Sequence, residues 1–113
     1  MNCLMSLTKT ADSKRAPLLR AASFAKSFLK DWDRLSRAGR HDMYRLKEAM
    51  LLLIANDAPL GAEWLDHALT GEWRGHRECH IGGNFLLIYE VDDGGKYGAI
   101  VFVRVGTHAD LFE

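Results

Sequence analysis

Four of the five histidines, His67, His76, His80 and His108, fall in the second half of this 113-residue chain. Imidazole titrates near neutral pH, so two such groups, one neutral and one protonated, suit proton transfer as base and acid. Two-residue alternation puts His76, Glu78 and His80 on one face of an extended segment, with Arg77, Cys79 and Ile81 on the other. The same residues offer N, S and O ligands to a metal. A His-x3-His pair in a strand, however, lies two pleats apart, ~13 Å at the usual rise, and no second Cys or His pair stands at finger spacing. No metal and no cofactor are therefore expected. Gly82-Gly83 and Gly94-Gly95 read as hairpin turns, since neither opens a helix after a strand to cradle phosphate. There is no G-x-S-x-G elbow.

The elements that must position these groups follow from periodicity. Residues 17–22 alternate weakly and read as a short edge strand, preceded by a leader over residues 1–16 that is expected to be flexible. From Ser23, a plausible N-cap, the period becomes helical: Phe24, Phe28, Leu29, Trp32 and Leu35 recur at helix spacing up to a stop at Gly39. A second helix over residues 42–56 buries Met43, Leu46, Met50, Leu53 and Ile54, and the short joint between the two predicts an antiparallel helical hairpin. Strands are expected over residues 74–81, 84–91 and 99–105. The first two meet at Gly82-Gly83, which sets His80 opposite Phe85 and Ile81 opposite Asn84. Residues 92–97 make the next turn. The order β-α-α-β-β-β is an α+β domain: an antiparallel sheet with a two-helix hairpin packed on one face.

Composition sets the outer limits. Apolar residues make up 48% and charged residues 27%, enough for one compact core and too much for a disordered tail. The longest apolar run, residues 49–55, is far short of a membrane span, and no signal peptide is recognisable, so a cytoplasmic protein without a membrane partner is expected. Cys3 and Cys79 are too few for a disulfide scaffold. The net charge of zero is uneven. Residues 1–47 carry eleven basic side chains against four acidic ones, a net +7, and residues 48–113 carry four against eleven, a net −7. Charge alone leaves two readings open, a phosphate-binding face or the solvated faces of surface helices.

Three blocks narrow the choice: D-H-A-L-T-G-E-W-R-G-H-R-E-C-H-I from Asp66, L-L-I-Y from Leu86, and R-V-G-T-H-A-D-L-F from Arg104. Together they resemble the YafQ-type branch of the RelE/ParE toxin superfamily, over about residues 18–113 in element order. The resemblance implies a RelE-like fold and a ribosome-dependent mRNA endonuclease toxin of a type II toxin–antitoxin system, neutralised by a cognate antitoxin and inhibiting translation. It implies His67, His80 and His108 as catalytic histidines, Arg104 beside the scissile phosphate and Glu78 as an acidic neighbour in the same strand. Phe112 matches the aromatic of the family's C-terminal tail. Asn84 departs from a frequent aspartate, and Phe85 replaces a tryptophan while keeping a smaller stacking face.

That set suits RNA cleavage without metal, which needs a base for the 2′-OH, an acid for the departing 5′-oxygen and a cation for the phosphate. His108 or His80 could be the base, His67 the acid and Arg104 the cation. The basic helical hairpin would grip rRNA in the ribosomal A site, an acidic antitoxin segment would order on the basic surface, and operator DNA would be reached only through that complex. A second reading is a catalytically decayed ribosome- or antitoxin-binding module, with Asn84 as the mark of decay. A gyrase-inhibiting relative fits the histidine set and the G-T-H-x-x-L-F tail less well. Trp73, Leu86, Ile88 and Tyr89 read as packing, and His41 and His76 as surface residues.

Overall fold

A computed structural model describes residues 19–56, 58–94 and 98–112. The expected leader lies outside these residues, as do Pro17 and Leu18 of the first strand and part of the turn at residues 92–97. The order is β1 (Ala21–Phe24), α1 (Lys26–Ala38), α2 (Met43–Ala55), β2 (His67–Ala68), β3 (Arg77–Gly82), β4 (Phe85–Asp92), β5 (Ala99–Thr107) and α3 (His108–Phe112). Single 3₁₀ turns at Ala62–Trp64 and Gly71–Trp73 flank β2.

The sheet runs β1-β5-β4-β3-β2, and it is mixed rather than wholly antiparallel. β2, β3, β4 and β5 pair antiparallel, while β1 joins the edge of β5 in parallel. Strand direction leaves no trace in a two-residue period, so the alternation at the start of the chain could not reveal it. The start of α1 also differs: Ser23 lies in β1, opposite Val101, and Ala25 takes the N-cap position without a side-chain cap. Phe24 explains the misreading. It stands in the strand, yet its ring meets Phe28 four residues on at 5.7 Å, so the pair mimics helical spacing.

Beyond Phe102 the outer edge of β5 has no strand partner; α1 takes its place. Ala25 N–H donates to the Phe102 carbonyl (3.0 Å), Ser27 Oγ–H to that of Val103 (2.6 Å), and Val105 N–H to the Asp31 carboxylate (3.0 Å). An edge that could template aggregation is thereby closed. Gly39 ends α1 in the left-handed region (φ 68°), where no Cβ penalty applies. Asp42 begins α2 by accepting the Arg45 N–H at 2.9 Å.

The helices cover one sheet face. Phe28, Leu35, Leu46, Met50 and Leu53 pack there with Ile81, Leu87, Tyr89, Phe102 and Val105. The opposite face holds a smaller cluster, Leu86, Ile88 and Leu111, edged by Leu69, Trp73, Val103 and Phe112. Five successive residues of central β4, Phe85 to Tyr89, are buried because both faces are covered there. α3 turns back onto the second face through a reciprocal cap: Thr107 N–H donates to Asp110 (3.0 Å), and Asp110 N–H donates to Thr107 Oγ1 (3.2 Å). Gly106 makes room, since a Cβ there would stand 3.0 Å from the Asp110 carboxylate.

Candidate active site

The second face carries most of the chemistry. β2 is only two residues long, but its register sets His67 opposite Glu78. Leu65, in the left-handed region at φ 49°, presents its carbonyl to His67 Nδ1 at 2.8 Å. A bulky side chain rarely adopts that backbone, and here it fixes one imidazole nitrogen as donor. Nε2 is thus turned to Glu78, at 3.3 Å from Oε1. On β3, His80 Nε2 lies 3.7 Å from the same oxygen. Glu78 is 6% exposed. One buried carboxylate therefore stands between two imidazoles whose ring centres are 6.2 Å apart. One imidazole nitrogen of each histidine and a Glu78 oxygen lie within 4.8 Å of one another, a donor set that also fits a transition-metal ion.

His108 opens α3 on the same face. Its backbone N–H donates to Asn84 Oδ1 (3.1 Å), and its ring lies 4.9 Å from Phe112. Phe112 and Trp73 meet nearly at right angles at 6.0 Å, as do Trp73 and His76 at 5.2 Å, so these rings form an aromatic row. Among the described residues no hydrogen bond or ion pair joins His108 or Arg104 to the His67–Glu78–His80 group.

Asn84 and Phe85 sit differently from the sequence reading. The hairpin turn is at Gly83-Asn84, one residue later than expected, so Gly82 pairs with Phe85 and His80 with Leu86. An irregularity between His80 and Gly82 absorbs Ile81. The shift keeps Ile81 in the helix-side core and His80 on the open face. Phe85 turns inward with it, is 5% exposed, and stacks flat on His41 (4.4 Å, 14°). The strand reading of residues 74–76 also gives way, because they form a turn in which His76 N–H donates to the Trp73 carbonyl.

Arg104 is clamped. Its Nε and Nη2 donate to the two oxygens of Asp31 at 2.7 and 3.2 Å, and its side chain is 27% exposed. That pairing, above all the hydrogen bond to Asp31, holds its pKa further above the ordinary arginine value. Asp31 is 5% exposed and also receives Arg34 (3.3 Å), which in turn reaches Asp110 of α3 at 3.6 Å. Sequence reasoning counted Asp31 only as one acid in a basic stretch. Its β5 partners lie 73 and 74 residues away, beyond the reach of any local pattern.

The comparisons with known proteins place the chain in a family. Residues 20–113 match the family model described as bacterial toxin of type II toxin-antitoxin system, YafQ. The chain belongs to the YafQ toxin family. The mRNA interferase toxin YafQ of Escherichia coli (strain K12) is 42% identical over 79 residues, 70% of this chain and 82% of the relative. The YafQ chain of the E. coli DinJ-YafQ toxin-antitoxin complex superposes with a TM-score of 0.73 at 38% identity, covering 85% of this chain and all of that one. A metal-bound toxin from Helicobacter pylori superposes at 0.72 with 31% identity, covering 83% of this chain and all of that one.

Proposed function

We propose that this YafQ-family chain is an mRNA endonuclease toxin that cuts messages on translating ribosomes and so halts translation in the cytoplasm. The observation that carries the reading is the pair of imidazoles, His67 and His80, facing one buried carboxylate on the sheet face that α3 only partly covers. A histidine, His80 or His108, takes the proton of the ribose 2′-OH. The 2′-oxygen forms a bond to phosphorus, the bond from phosphorus to the 5′-oxygen breaks, and His67 returns a proton to that oxygen, leaving a cyclic phosphate. Glu78 keeps the two rings apart and oriented. Arg104 faces the phosphate with Nη1, the one guanidinium nitrogen that Asp31 does not engage. Phe112, beside His108, offers a face to an unstacked base.

The partner is an antitoxin, as in the DinJ-YafQ toxin-antitoxin complex of the E. coli relative, and an acidic segment of it is drawn to the basic α1–α2 hairpin. The same hairpin grips rRNA phosphates, and operator DNA is met only through the antitoxin complex. Among the described residues no helix is long and apolar enough to cross a membrane. A decayed site gains no support from Asn84. Its amide oxygen already accepts the His108 N–H, the orienting work an aspartate would do. Were a metal bound, His67, Glu78 and His80 would hold it, and as a Lewis acid it would occupy the nitrogens that acid–base chemistry needs free.

Primer extension on a reporter mRNA, with and without translating ribosomes, tests the reading. Discrete cuts that need ribosomes and disappear in His80→Ala are expected. Intact mRNA despite ribosome binding would sink it.

A further inference from the structure

Next to His108 lies a cleft of about 310 Å³, at the small end of ligand-sized sites, formed where the α1–α2 joint meets the β3–β4 hairpin. Arg40, His41, Asp42, Gly83, Asn84 and Thr107 are among the residues that line it, with Phe85 beneath. Asn84 and Thr107 tie it to the site: Asn84 holds the backbone of His108, and Thr107 caps the helix that carries it. His41 lies flat on Phe85, half-buried, so the pair forms a two-layer platform. The stacking face expected of Phe85 is thus presented by the imidazole above it.

The charges around the cleft are mostly committed. Asp42 caps α2, and Arg45 donates to the Ile81 carbonyl at 2.7 Å with its guanidinium 4.0 Å over Trp64. Arg40 is exposed, and among the described residues no carboxylate lies within ion-pairing distance of it. Gly83 brings no side chain, and a Cβ there would meet only open space. A flat aromatic platform beside a cation, with a bare backbone wall, is the chemistry that receives one unstacked nucleobase and its phosphate.

We infer that this cleft is a nucleotide subsite, in which His41 stacks an mRNA base flanking the cut and Arg40 holds that nucleotide's phosphate. The inference rests on the endonuclease reading and adds to it a residue that fixes where the message lies. The test measures kcat and KM for reporter mRNA on translating ribosomes, using wild type, His41→Ala, His41→Phe and Arg40→Gln.

His41→Ala raises KM about tenfold, the usual scale for one stacked base, while kcat changes less than about twofold. His41→Phe retains the platform and stays within about twofold of wild type. Arg40→Gln lowers the log–log salt dependence by about one unit. An mRNA with one abasic nucleotide, scanned across the cut site, loses affinity at a single position in wild type and not in His41→Ala. A fold defect would not produce that cancellation.

Unchanged KM in His41→Ala, or equal losses in the Ala and Phe variants, would overturn the subsite. So would a loss confined to antitoxin affinity, which would make the cleft a protein-binding surface. If wild type cuts no mRNA, the endonuclease reading itself fails. If wild type cuts and His41→Ala cuts identically, only the subsite does.

Discussion

Three consecutive residues of β3 show how differently the two faces of the sheet treat chemistry. Cys79 points toward the helices, where burial pushes its thiol up to about 12, and it meets apolar neighbours. Glu78 and His80 point the other way, toward a face that α3 only partly covers, and meet a second histidine from β2. The helix-side face spends its area on packing and neutralises what polarity it contains. Burial first, and then the hydrogen bond that Tyr89 donates to Asp66, itself bridged to Arg77, hold the Tyr89 hydroxyl in the protonated form. The open face instead lays titratable groups over a thin apolar floor of Leu86 and Ile88. With the proposed function, side chains on the first face set stability and those on the second set activity.

The largest effects should separate the faces cleanly. His67→Ala and His80→Ala should each lower the ribosome-dependent cleavage rate by about 10²- to 10⁴-fold, the range of a general acid or base. Their melting temperatures should stay near wild type, because both rings are partly exposed. Leu87→Ala, one strand over on the helix side and fully buried, should cost about 2–5 kcal/mol of stability. Its cleavage rate should hold wherever the protein remains folded. Thermal melts and cleavage rates measured on the same preparations decide this. Equal activity losses from His80→Ala and Leu87→Ala at a temperature where both are folded would dissolve the distinction.

Asp31 sharpens the comparison because it serves both faces. Asp31→Ala removes two charge-assisted bonds to Arg104 and the acceptor for Val105 N–H, and should cost about 1–3 kcal/mol. It should also slow cleavage, since Arg104 loses its fixed orientation. Asp31→Asn keeps an acceptor for Val105 and should recover most of the stability but less of the rate. If stability and rate recover together, Arg104 orientation has no part in the reaction.

How far these assignments were legible in the sequence follows the range of each contact. Local periods gave both helices, four of the five strands in chain order and the facing of Glu78 and His80. The parallel pairing of β1 and the shift at Ile81 depend on partners across the sheet, which no local period encodes. His67 entered the site only by resemblance, because a two-residue strand is too short to show alternation. Asp31 and His41 were passed over for one reason. An acid on a basic helix and a histidine in a loop look like surface residues until the sheet brings Arg104 and Phe85 against them.

The smallest expected effect concerns how α3 is held on the open face. Hydrogen bonding from Thr107, its backbone N–H foremost, holds the Asp110 carboxyl below the usual carboxylate range, with Arg34 adding to it. A carboxyl whose folded pKa is depressed supports the fold fully above its unfolded value, near 3.9, and loses that support as pH falls through the folded value. α3 docking should therefore be flat from pH 7 to about pH 4 and weaken below it. The change should be modest, because the group is partly exposed and screened. The Trp73 indole N–H signal, sensitive to Phe112 beside it, reports the change in an NMR pH titration. Asp110→Asn, whose amide oxygen still accepts the Thr107 N–H, should show no such acid transition. A transition of the same size in that variant would place the acid sensitivity outside Asp110.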